Sequence, residues 1–118
     1  MPFEHHEEKS YAKDGQTIYQ AALKANEKLQ GEVFSSKPDA LRFETRFPKT
    51  ILGKVLGDRT YLSCEIRPAG ENSLVVVDAY PLDALERKLM FGARKGVVQT
   101  VVSWFFAHLE HNLGLPGK

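Results

Sequence analysis

Val97-Val98-Gln99-Thr100-Val101-Val102-Ser103-Trp104-Phe105-Phe106-Ala107-His108-Leu109 is the stretch on which the fold turns. At helical spacing Val98, Val102, Phe105 and Leu109 form one stripe, and Val97, Val101, Trp104 and His108 form a second beside it. A helix that is apolar over so wide an arc must lie across something broad, and a sheet face is the one large surface available to it. The spacing predicts a helix over residues 91–113, stopped by Gly114, Leu115 and Pro116.

Working back along the chain, the pattern supplies that sheet. Leu41, Phe43, Thr45 and Phe47 alternate with Arg42, Glu44 and Arg46, as in a half-buried antiparallel strand. Leu62, Cys64 and Ile66 alternate in the same way with Tyr61, Ser63 and Glu65. The turn 68–72 leads into Ser73 to Tyr80, with a β-forming Leu74-Val75-Val76-Val77 centre. Val33-Phe34 opens a strand that ends at Lys37-Pro38-Asp39. Before it, Asp14 is placed to cap a helix whose inner face is Ile18, Ala22, Ala25 and Leu29. Lys24, Glu27 and Lys28 then face water, and Gly31 stands where a left-handed residue would end the helix. Residues 1–12 read as an arm or an edge strand. The expected architecture is α+β: an antiparallel sheet of four to five strands, an N-terminal helix, and a long C-terminal helix packed across one face, in a single domain over 1–118.

Composition narrows the function classes. The 118 residues carry 16 basic and 15 acidic side chains, a net charge of +1, so no global field draws in nucleic acid or anionic lipid. Cys64 is the only cysteine, which excludes an internal disulfide and a cysteine-built zinc cage. The start of the chain has no basic-then-apolar signal pattern, and Val101 to Ala107 is too short to cross a bilayer, so the cytoplasm is the expected address.

The candidate chemistry is sparse. Glu4-His5-His6-Glu7-Glu8 offers imidazole and carboxylate donors for a metal, set against a solvated terminus. His108 and His111, three apart on a helix, read as an acid/base or ligand pair, or as a partly buried filler and a charge that suits the helix C-terminus. Cys64 falls on the apolar side of a strand, unlike the basic, open setting of a reactive thiol. Arg87, Lys88, Arg94 and Lys95, with Met90, Phe91 and Gly92 among them, suit an anion at a helix start or a solvated face. The segment Pro48 to Arg59 is longer than a hairpin needs and carries Ile51, Leu52, Val55 and Leu56. It reads as the lip of a cavity, a partner patch or a membrane-touching tip; alternatively it folds inward as a helical turn, or extends both strands. No nucleophile with its base, paired carboxylates or metal set stands out, so no enzyme activity and no cofactor are expected.

The order of elements resembles the helix-grip fold of START and Bet v1-like proteins, over nearly the whole chain and as topology, two strands and one helix short of the full form. It is similar also to small bacterial domains with the same abbreviated order. The resemblance implies a hydrophobic ligand held between helix and sheet. On that basis the expected function is a non-catalytic binding domain for an apolar or amphipathic small molecule. Phe43, Phe47, Trp104 and Phe105 would line its site, with Arg94 or Lys95 at the mouth. The other expectation is an interaction or oligomerisation module that uses Ile51, Leu52, Val55 and Leu56, with a second copy or another protein as partner.

Overall fold

The periodicities translate into ten elements. In the computed structural model, which describes residues 4–83, 85, 87–89 and 96–114, they run β1 (His5–Tyr11), α1 (Gly15–Lys28), β2 (Glu32–Lys37), a 3-10 turn (Pro38–Ala40), β3 (Arg42–Phe47), β4 (Thr50–Ile51), β5 (Lys54–Val55), β6 (Arg59–Ala69), β7 (Asn72–Leu82) and α2 (Val97–Asn112). Five strands make one antiparallel sheet in the order β1-β7-β6-β3-β2, and β4-β5 stands apart as a hairpin. Residues 5–11 are therefore the edge strand of the two readings, paired from His5↔Ala79 to Tyr11↔Ser73.

The start of α1 follows from its cap. The Asp14 carboxylate accepts from the Thr17 amide at 3.1 Å and from the Thr17 hydroxyl at 2.5 Å, which satisfies a donor of the first turn. Its end differs from the expectation. Gln30, with φ +66°, is the left-handed residue, and Gly31 is required for another reason. A Cβ at Gly31 would run into Asn26 Oδ1 and would stand 2.6 Å from a Phe47 ring carbon and 2.9 Å from Thr45 Oγ1. Gly31 thus allows the chain to pass close over β3.

The C-terminal helix is shorter than residues 91–113. Gly96 has φ +83° and is the N-cap, so the helix begins at Val97; residues 91–95 lie outside the described ones. A left-handed residue cannot sit inside a right-handed helix, which places the break there.

Both helices cover the same face of the sheet. Ile18, Ala22 and Ala25 of α1, its C-cap Leu29, and Val98, Val101, Val102, Phe105, Phe106 and Leu109 of α2 share a core with Phe43, Leu62, Cys64, Ile66, Val75 and Val77. Burying each large side chain contributes about 1.5–3 kcal/mol. Polar pins fix the layers. Asn112 Nδ2 donates to the Ala21 carbonyl at 3.0 Å, joining the helices, and the Tyr11 hydroxyl donates to Glu110 at 2.7 Å, joining α2 to β1.

Candidate functional site

The aromatic residues expected to line a ligand site do meet. Phe43 on β3 and Phe105 on α2 have ring centroids 6.4 Å apart, and Phe47 joins the same core. Their exposures are 1%, 0% and 1% for Phe43, Phe105 and Phe47. A side chain on a water-sized cavity keeps surface facing it, so these rings meet neighbouring atoms at close packing. Trp104 is half-buried against that core. Arg94 and Lys95, the expected mouth, lie outside the described residues.

The segment 48–59 is neither a helical turn nor an extension of both strands. It is the β4-β5 hairpin, turning at Leu52 (φ +50°) and Gly53 (φ +82°), the φ pair of a type I′ turn. The Lys49 carbonyl gathers the amides of Leu56 at 2.7 Å and Gly57 at 3.2 Å, closing the base of the hairpin. Its four apolar residues separate. Ile51 is fully buried and Leu56 packs on the core, whereas Leu52 is 52% exposed and Val55 75%. A side chain on α1's end holds the tip: Gln30 Oε1 accepts from the Leu52 amide at 3.0 Å.

Beside that latch lies a groove of about 990 Å³ between the outer faces of α1 and α2. Lys24, Glu27, Lys28 and Gln30 line one wall, Ala107, His108, His111 and Asn112 the other, and Leu52 the lip. Burial, then the charges of Lys28 and His111, hold the His108 imidazole below its ordinary value of 6.5. Among the described residues, none of Lys24, Lys28, His108 and His111 has an ion pair or a side-chain hydrogen bond. In the sequence Lys24, Glu27 and Lys28 face water, and nothing local connects them to the two histidines. The available signal was that Lys24 and Lys28 stand one turn apart, as do His108 and His111.

The other clusters are occupied by their own neighbours. His6 places Nδ1 2.6 Å from Asp78 and Nε2 2.8 Å from Glu8, and these carboxylates, Asp78 first, raise its pKa above 6.5. Both ring nitrogens are thereby committed. No group of three His, Cys, Asp or Glu among the described residues is arranged to hold a metal. Cys64 is buried, and loss of solvent drives its thiol pKa upward, away from the reactive thiolate. Of the basic cluster, Arg87 pairs with Asp83 at 3.4 Å and Lys88 with Glu4 at 2.6 Å; residues 90–95 lie outside the described ones. On the outer sheet face Tyr61 and Tyr80 stack at 4.4 Å, Arg46 lies over Phe34, and Lys88 over Tyr80. No described helix is long and apolar enough to cross a membrane.

The chain superposes on solved structures. The crystal structure of Ara h 8.0201 superposes with a TM-score of 0.64 at 10% identity, covering 94% of this chain and 97% of that one. The fold is Bet v1-like. The Bet v1-like arrangement recurs in the di-domain ARO/CYC BexL from the BE-7585A biosynthetic pathway, with TM-score 0.58 and 9% identity over 94% of this chain and 46% of that one. It recurs also in CalU16 from Micromonospora echinospora, with TM-score 0.55 and 7% identity over 94% and 78% of the two chains. No protein-family model matches the chain, and no curated protein matches it in sequence.

Proposed function

We propose that this Bet v1-like chain is a binding domain for an amphipathic small molecule, entered from the groove between α1 and α2. The observation that carries the reading is the groove itself, about 990 Å³ in size and set directly beside the C-terminal helix. Its volume suits a small molecule of ordinary size. Phe43, Phe47 and Phe105 close the space between α2 and the sheet, so the polar end of the ligand stays in the groove and only its apolar end is directed toward α2. Native mass spectrometry of the protein, purified from its own source without denaturation, tests the proposal. Extra mass that leaves on denaturation supports it, and a bare monomer contradicts it.

A second reading has one observation in its favour. Leu52 and Val55 present exposed apolar side chains on a hairpin, as a protein contact would. Sedimentation across protein concentrations tests it. Association that Val55→Asp abolishes supports this reading, and a monomer at every concentration removes it. Leu56→Asp is a poor probe, because Leu56 packs on the core and the change would destabilise the fold.

A further inference from the structure

Four basic side chains converge on the groove from two elements. From α1 come Lys24 and Lys28, with Glu27 the one acid; from α2 come His108 and His111; the hairpin tip and Gln30 add no charge. None of the four basic side chains has an ion pair among the described residues, and the Lys28 charge disfavours protonation of His108 across the groove. On a merely solvated surface such groups spread apart, or pair with acids as Arg67 does with Glu65 at 2.9 Å and Lys88 with Glu4 at 2.6 Å. Here the walls are held at fixed spacing. Asn112 binds the Ala21 carbonyl across the two helices, and the lip is set by Gln30 and Leu52, two non-glycine residues in left-handed conformation that are hydrogen-bonded to each other. Left-handed non-glycine residues persist only where their surroundings over-determine them, and they collect at ligand sites.

We propose that this groove recognises the oxyanion head of an amphiphile, with Lys24, Lys28, His108 and His111 around the head and Leu52 and Ala107 against the first carbons of its tail. The inference rests on the binding-domain reading and names the ligand class. An oxyanion among the four basic side chains can accept charge-assisted hydrogen bonds, the stronger kind. It also favours the protonated form of His108, which burial, Lys28 and His111 otherwise disfavour. Binding therefore takes up a proton, and affinity rises as pH falls. The charged or titratable groups that line the groove with His108 are Lys24, Glu27 and Lys28 on α1 and His111 on α2, and of these Lys28 and His111 act on its imidazole.

Isothermal calorimetry with decane-1-sulfonate, below its micelle concentration, tests the proposal, because this probe keeps one negative charge at every pH used. Decan-1-ol carries the tail without the charge, and inorganic sulfate the charge without the tail. The sulfonate is expected to bind about tenfold tighter at pH 5.5 than at pH 8.0, the sense set by proton uptake at His108. His108→Gln is expected to flatten that dependence, and Lys28→Gln to weaken binding severalfold at both pH values, each with an unchanged circular dichroism spectrum. Decan-1-ol binding as tightly as the sulfonate overturns the anion inference and leaves the binding-domain reading standing. If neither ligand binds, both fall. Sulfate binding as tightly as the sulfonate overturns the amphiphile. Cosedimentation with phosphatidylcholine–phosphatidic acid vesicles, without binding of the monomeric sulfonate, overturns it in favour of a membrane surface.

Discussion

The Leu52 amide donates to Gln30 Oε1 at 3.0 Å, so the hairpin tip hangs from the residue just past the C-cap of the first helix. Both residues are in the left-handed region, at φ +50° and +66°. Leucine there is strained by about 1–2 kcal/mol, because its Cβ crowds the following carbonyl. Asparagine before glycine is the preferred type I′ pair. Leu52→Asn is accordingly expected to raise the urea midpoint by an amount worth about 1 kcal/mol. It should weaken decane-1-sulfonate binding at the same time, since Leu52 lines the groove. A stability gain without a binding loss would detach the lip from the site.

Asn26 and Thr45 meet in the core. Thr45 Oγ1 donates to Asn26 Oδ1 at 2.6 Å, and Asn26 Nδ2 donates to the Gly31 carbonyl at 3.2 Å. Thr45→Val leaves the Asn26 oxygen buried without that donor, a loss of about 1–3 kcal/mol. Gly31→Ala forces a methyl against Asn26, Phe47 and Thr45 and costs about 1–3 kcal/mol as overpacking. Urea unfolding measures both. A neutral Gly31→Ala would mean that β3 and the helix end are not packed this closely.

Two histidines act on stability in opposite senses. His6 has a raised pKa from Asp78 and Glu8, so its contribution is fully present below the ordinary value of 6.5 and is lost as pH rises through the higher folded value. His108 has a lowered pKa from burial and from Lys28, so protonating it favours the unfolded chain, and stability declines as pH falls from 6.5 through the lower folded value. Histidine ring resonances followed by NMR across pH are expected to place His6 above and His108 below 6.5, and Asp78→Asn is expected to bring His6 down. The reverse ordering would contradict the geometry of both sites.

Cys64 is fully buried between strands, with its thiolate disfavoured by loss of solvent. Its reaction with a thiol reagent such as dithionitrobenzoate should follow global unfolding, so that denaturant accelerates it in step with the loss of structure. Rapid labelling of the native protein would show an opening of the β6 region that the packing does not contain.

Much of the fold was legible because its signals are local. The Asp14 cap, the Ile18–Leu29 stripe and the alternation of Phe43, Thr45 and Phe47 each depend on residues within one element. The errors lie where backbone conformation overrides side-chain pattern. Gly96 starts the last helix six residues late for the predicted start at 91, and Leu52 turns a hairpin in a conformation that leucine ordinarily avoids. Gly31 has the local pattern of a cap, whereas its role, clearance over Phe47, is a contact between distant segments that no local pattern carries. The groove was hidden for the same reason. Its walls come from residues 24–30 and 107–112, and each wall alone looks like a wet helix face. The expected aromatic site shows the converse limit: pattern brings Phe43 and Phe105 to one place but does not report whether space remains between them.

An amphipathic anion is expected to sit in the groove between α1 and α2. Backbone amide shifts recorded during a titration of decane-1-sulfonate measure that directly. The prediction is a contiguous set of changes at Lys28, Gln30, Leu52, Ala107 and His111, with the outer-face residues Tyr61 and Tyr80 unmoved. Changes centred on Tyr61 and Tyr80, or none anywhere at saturating ligand, would contradict it.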